Sequence, residues 1–220
     1  MNREKARYIL NIFIAVVVPA AWLWMFFGSV GELAQNGIGS LKYFTVLSNF
    51  MASFAAISWL ACRKGSPEKR DFAERFKYFA AAAVMLTFTV VMTFLGPLYG
   101  YINMFIGANL FFHGLVPLAA AFEIVFLCDR QFTKRENNIA VIAPLVYGTG
   151  YLINILINGM GTWPDTNDWY LFFAWGYSVG FVIYAVIVAV TWLLAFAMRK
   201  GQAAYLRKHK RSVGTEKGIE

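Results

Sequence analysis

Residues 41–62 read LKYFTVLSNFMASFAAISWLAC, a run that is apolar or aromatic at most positions. At 1.5 Å per residue it is long enough, as a helix, to cross the ~30 Å of hydrocarbon in a bilayer. Yet Thr45, Ser48 and Asn49 sit inside it at one-turn spacings. Runs of comparable length recur at about 8–28, 78–98, 104–128, 139–159 and 169–198. The last exceeds what a span needs, so it is expected to tilt or to run on along the interface. With 59% apolar, 18% aromatic and only 15% charged residues, the chain is too apolar for a soluble domain. The expected fold is an all-α integral membrane protein, a bundle of six transmembrane helices. Residues 1–200 form one transmembrane domain and 201–220 a basic cytoplasmic tail.

The net charge of +8 is a topology signal. Arg3, Lys5 and Arg7 precede the first run, and six basic residues lie in RKGSPEKRDFAERFK at 63–77. Arg130, Lys134 and Arg135 lie between the fourth and fifth runs, and seven more between Arg199 and Lys217, which leaves Lys42 alone on the other side. The positive-inside rule then puts both termini in the cytoplasm. Basic loops of this kind meet anionic lipid headgroups, and nucleic acid is not an expected partner. The first run is too long and too aromatic for a cleaved signal peptide and reads as an anchor. Cys62 and Cys128 fall at cytoplasmic ends, where thiols stay reduced. No CxxC, HExxH, GxGxxG or Walker spacing occurs, and two His with two Cys make no metal cage, so neither cofactor nor metal is expected. The sequence does not specify an oligomeric state, and no repeat relates the two halves as in an inverted-repeat transporter.

The polar groups within the runs carry the functional question. A lone Thr or Ser satisfies itself on a carbonyl three or four residues back, as expected for Ser48. Asn and His keep donors and acceptors that one helix cannot satisfy, so they seek partners on other helices. Asn49 lies one turn beyond Thr45 on the same face, and Asn109 one turn before His113, with Pro117 one turn after it. Tyr147, Tyr151, Asn154 and Asn158 form one face of the fifth run, and Thr89 and Thr93 recur in the third. All lie toward the outer half, as walls of an outward-opening polar cavity or as interhelical glue. A hydroxyl beside an imidazole is the minimum for nucleophilic acyl transfer, and Asn or Tyr side chains can donate to the oxyanion. Candidate substrate-binding or oxyanion groups are Asn49, Asn109, Tyr147, Tyr151, Asn154 and Thr93. Glu123 lies ten residues, ~15 Å, from His113 on one helix. It is too far to orient the imidazole, which leaves an amide, a hydroxyl or a backbone carbonyl for that task.

KYFTVLSN at 42–49, with FFHGLVP at 111–117, resembles the paired signatures of the androgen-induced / ADTRP family and its bacterial relatives. PLVYGTGYLINILING at 144–159, followed by TWP at 162–164, extends the resemblance over most of the chain. The resemblance implies about six transmembrane helices and a threonine hydrolase acting on fatty acid esters of hydroxy fatty acids or related lipids. It implies Thr45 as the nucleophile and His113 as its partner, and matches no oxyanion donor. A lipid acyltransferase would use the same pair with an alcohol or thiol acceptor, and a non-catalytic lipid-binding or transport module would keep the cavity without needing Thr45.

Overall fold

The computed structural model describes residues 2–27, 37–162 and 165–216. Trp163 and Pro164, most of the connection at 28–36 and Lys217 lie outside the described residues. Six helices are long and apolar enough to cross a membrane: α1 (Arg3–Phe27), α2 (Phe44–Cys62), α3 (Pro67–Tyr99), α4 (Ala108–Leu127), α5 (Lys134–Asn158) and α6 (Tyr177–Glu216). No strand occurs among the described residues. Two differences from the hydropathy windows matter. Residues 169–176 lie outside any helix, because Gly176 takes a φ of +93° just before α6 begins. Helix α3 starts eleven residues before its window, at Pro67, where Ser66 accepts the Lys69 amide and proline fills the first turn. Helix α6 passes residue 200 without a break.

Helix α3 is the most enclosed and packs mainly on α2, which also packs on α1. Small residues permit this close approach: Ala80 to Ala83 on α3 and Ala52, Ala55 and Ala56 on α2 are all buried. Large apolar side chains such as Val16, Phe54, Val146 and Val182 point outward, the arrangement expected where the surroundings are hydrocarbon.

Pro19, Pro117 and Pro97, which lie within α1, α4 and α3, shape the backbone. Each lacks an N–H and so deprives one carbonyl of its helical partner. In α1, Pro19 deprives Ala15, whose carbonyl accepts Ser53 Oγ of α2 at 3.2 Å. Helix α4 widens to a π turn at Phe111–Leu115, in which the Val116 amide reaches back five residues to Phe111. In that register Pro117 deprives Phe112, and the Phe112 carbonyl accepts Asn49 Nδ2 of α2 at 3.0 Å. Helix α3 repeats the device at Val91–Leu95: Gly96 bonds Val91, Pro97 deprives Met92, and the Tyr101 hydroxyl donates to that carbonyl at 2.9 Å.

At the opposite end of α1, α3 and α4 from Thr45, a buried ion cluster ties the same helices. Arg7 donates to both oxygens of Glu74 at 2.7 and 2.5 Å and to Glu123 Oε1 at 2.9 Å, and stacks over Trp59 at 4.6 Å. Trp59 Nε1 donates to Glu74 at 3.1 Å. Lys77 approaches Glu123 Oε2 to 2.5 Å and bonds Asn11, whose amide in turn donates to Glu123 at 2.9 Å. Two cations and two carboxylates cancel, which is what makes full burial of Glu123 tolerable. Lys77, which the sequence places in a basic connection, is thus a core residue of α3. Cys128 beside the cluster is a free thiol, pushed up to about 12 by burial and by the Glu74 charge, and it donates to Glu74 at 3.4 Å.

Two outcomes follow for stability in detergent. Glu123→Ala strands Arg7 and Lys77 and costs about 3–5 kcal/mol, whereas Glu123→Leu combined with Lys77→Met, which leaves the Arg7–Glu74 pair intact, costs less than Glu123→Ala alone. Asn49→Ala leaves the Phe112 carbonyl without its partner, at a cost of about 1–3 kcal/mol. Pro117→Ala returns an N–H to α4, so in that background the cost of Asn49→Ala shrinks. A double-mutant cycle on chemical unfolding reads the coupling.

Candidate functional site

Thr45 lies in the first turn of α2, two residues after the extended Tyr43 at the helix start. Its carbonyl accepts two side chains of its own helix, Ser48 Oγ at 3.1 Å and Asn49 Nδ2 at 2.7 Å. Ser48 also meets Thr87 of α3 at 3.1 Å, the back-bonding and packing role expected of it. The Thr45 hydroxyl makes no hydrogen bond among the described residues and lines a cavity of about 60 Å³. The walls around Thr45 are mostly apolar, relieved by Thr87, Tyr147, Tyr151, Tyr170 and Tyr184.

His113 sits within the π turn of α4 and is buried. Its Nδ1 is 2.6 Å from the carbonyl oxygen of Met104, in the one-turn helix Tyr101–Met104. A carbonyl only accepts, so Nδ1 carries the proton and Nε2 of the neutral ring bears the free lone pair. The orienting group is therefore a backbone carbonyl, one of the three kinds left open by the sequence. Asn49 Nδ2 bonds both the Thr45 and the Phe112 carbonyls, so the backbone at Thr45 and the backbone preceding His113 meet at one amide. Asn49 Oδ1 is buried without a hydrogen-bond partner. No hydrogen bond joins Thr45 to His113 among the described residues, and His113 is not among the walls of the Thr45 cavity.

The other candidates divide between the cavity and the scaffold. Tyr147 and Tyr151 line the cavity. Tyr147 donates to the Lys42 carbonyl at 2.6 Å and accepts Trp169 Nε1 at 3.1 Å, while Tyr151 donates to Asp168. Asn154 pairs with Asn158 and Asn167 at the mouth of α5, away from the cavity. Thr93 donates to the Thr89 carbonyl at 2.7 Å, the self-satisfied state of a helical threonine. Asn109 is buried in the first turn of α4.

Sequence reasoning passed over Tyr170, because 169–176 reads as the start of the last span. Tyr170 lines the cavity beside Thr45, and its hydroxyl accepts the Phe44 amide at 2.8 Å. This amide is in the first turn of α2, where helical N–H groups lack partners. The segment bearing Tyr170 is held by Asp168, a buried carboxylate that accepts the Phe172 and Phe173 amides at 3.0 and 2.9 Å and the Tyr151 hydroxyl. Those bonds offset the left-handed φ of +57° at Leu171, a conformation costing about 1–2 kcal/mol for a residue with a side chain. The signal was the polar aspartate before the aromatic run WYLFF at 169–173.

A second, open groove of about 560 Å³ runs between α2, α3 and α5, lined by Leu47, Met51, Phe76, Phe79, Ala143 and Val146. Phe44 and Tyr147, whose rings lie 5.1 Å apart, belong to both the groove and the Thr45 cavity. Among the described residues no group of His, Cys, Asp and Glu is arranged to hold a metal ion.

Removing the Asp168 carboxylate frees the two amides it caps. Asp168→Ala is expected to raise hydrogen–deuterium exchange at Phe172 and Phe173 by roughly tenfold or more, since a hydrogen bond to a charged group is worth about 1.5–3 kcal/mol. Exchange in the α3 core stays unchanged in the same experiment.

No family model, curated protein or solved structure matches the chain.

Proposed function

We propose that this chain is an intramembrane lipid ester hydrolase in which Thr45 is the nucleophile and His113 the base. The observation that carries the reading is the 2.6 Å contact of His113 Nδ1 with the Met104 carbonyl, which accepts from Nδ1–H and so leaves Nε2 of a neutral ring to accept a proton. In support, the Asn49 amide draws Thr45 and the π turn of α4 together, and the Thr45 hydroxyl is uncommitted. Catalytic hydrogen bonds are often long or unformed without substrate, so a pair that closes on binding fits this arrangement. The resemblance of KYFTVLSN and FFHGLVP to the androgen-induced / ADTRP family assigns the same two residues.

In this reaction Thr45 Oγ attacks the ester carbonyl carbon and passes its proton to His113 Nε2. The tetrahedral intermediate collapses as the alkoxy C–O bond breaks, and His113 gives that proton to the departing alcohol. Water then attacks the acyl-threonine with His113 again as base, releasing the acid and restoring Thr45. The Thr45 cavity is small beside the 300–1,000 Å³ typical of pockets that enclose a whole ligand, so it suits the reacting ester while the open groove takes an acyl chain. The distribution of Lys and Arg supports a topology with both termini in the cytoplasm, the Thr45 cavity in the outer leaflet and the basic end at anionic headgroups of the plasma membrane.

A second reading has its own observation. The cavity lining includes Thr45 but not His113, as expected if it simply holds a lipid chain. The test is hydrolysis of a panel of lipid esters by detergent-purified protein, with fluorophosphonate labelling. In the hydrolase, Thr45→Ala and His113→Ala fold, but turnover falls at least 10³-fold and labelling is lost, while Thr45→Ser retains part of both. Lipid binding that survives in Thr45→Ala, without turnover by the unaltered protein, selects the binding module.

A further inference from the structure

We infer that Tyr170 is the oxyanion donor of this site, delivered to the start of α2 by the segment between α5 and α6; the inference rests on the Thr45 hydrolase reading. An acyl-transfer site needs a hydrogen-bond donor aimed at the carbonyl oxygen as it gains charge, within a group or two of the attacking atom. Asn154 and Thr93 are bonded elsewhere, and Asn49 spends its Nδ2 on two carbonyls. Tyr147 already donates to Lys42 and Tyr151 to Asp168. Tyr170 differs from both: its oxygen accepts the Phe44 amide, one residue before Thr45, and its ring shares the cavity wall with Thr45.

A phenol that accepts a backbone N–H still has its own O–H to give; without substrate that O–H meets the Tyr147 oxygen, and a carbonyl oxygen gaining charge is the stronger acceptor. The N-terminal end of α2 adds its positive dipole at the same point. As Thr45 Oγ forms its bond to the carbonyl carbon, the π pair moves onto the carbonyl oxygen, which accepts the Tyr170 O–H. The proton stays on Tyr170, and the bond weakens when the carbonyl re-forms. The ring is fixed for this task by stacking on Phe172 at 5.1 Å and by the edge of Tyr43 at 6.0 Å. Its backbone amide is held by the Tyr151 hydroxyl at 3.3 Å, which itself donates to Asp168. Asp168 and Tyr151 are positioning residues in this scheme.

The test compares the unaltered protein, Tyr170→Phe and Thr45→Ala on long-chain 4-nitrophenyl esters in detergent. Tyr170→Phe keeps the ring, and the expected result is a fall in kcat of about 10²–10³-fold with KM little changed. Thr45→Ala loses turnover altogether. If Tyr170→Phe keeps kcat within a few fold while Thr45→Ala is inactive, the oxyanion role is overturned and the Thr45 reading stands. If the unaltered protein is inert, or Thr45→Ala remains active, both fall together. Should the phenylalanine variant fold poorly, mono- and difluorotyrosine at position 170 retain the hydroxyl while changing its acidity. A kcat that tracks ring acidity supports the role, and a flat series overturns it.

Discussion

Within hydrocarbon no water is at hand to satisfy a stray backbone group, and this constraint organises the molecule. Proline bends a helix by withholding a donor, so Pro19, Pro97 and Pro117 each leave a carbonyl that needs a partner. The partners here are Ser53, Asn49 and Tyr101, each bonded to the carbonyl that a particular proline leaves free. The polar residues of α2 therefore have a backbone cause before they have any chemical one. Asn49 joins the two accounts, since the carbonyl it caps lies immediately before His113.

The bundle separates its polar groups into two unlike sets. At one end Arg7, Glu74, Lys77 and Glu123 neutralise one another at short range, with Asn11 and Trp59 filling remaining bonds. A network closed on itself in this way fixes the relative placement of α1, α3 and α4. At the other end Asp168 is spent on backbone amides and Tyr151, and the groups around the cavity are uncharged and partly uncommitted: a free threonine hydroxyl, a buried amide oxygen without a partner, and several tyrosines around an apolar hollow. A group already committed to two partners has little left for a third molecule, so the second set is the freer to meet one.

Six spans, the stripe of Thr45 and Asn49, and the pairing of His113 with Pro117 were legible in the sequence, because hydropathy and helical periodicity are local. Partners across helices were not. Glu74 and Lys77 looked like members of a charged connection, since their companions are Arg7, 67 residues away from Glu74, and Asn11, 66 away from Lys77. Periodicity shows which face a residue occupies without naming what that face meets. Tyr170 was hidden for a different reason: an aromatic run continuous with an apolar helix has the same hydropathy whether or not it is helical, and the break lies in backbone dihedrals at Leu171 and Gly176. Met104 was illegible in principle, since what it contributes is a carbonyl, which every residue possesses.

The proline caps also bear on how the chain reaches the bilayer. Helix α1 carries a carbonyl at Ala15 that has no partner until α2 arrives with Ser53. A span entering lipid alone would expose that group, so α1 and α2 are best accommodated as a hairpin entering together. The remaining cap of α2, Asn49, then waits for Phe112, whose helix is synthesised two spans later. Met92 finds Tyr101 within the turn that follows it and needs no other span. Helix α2 thus supplies the cap for a carbonyl of an earlier helix and for one of a later helix.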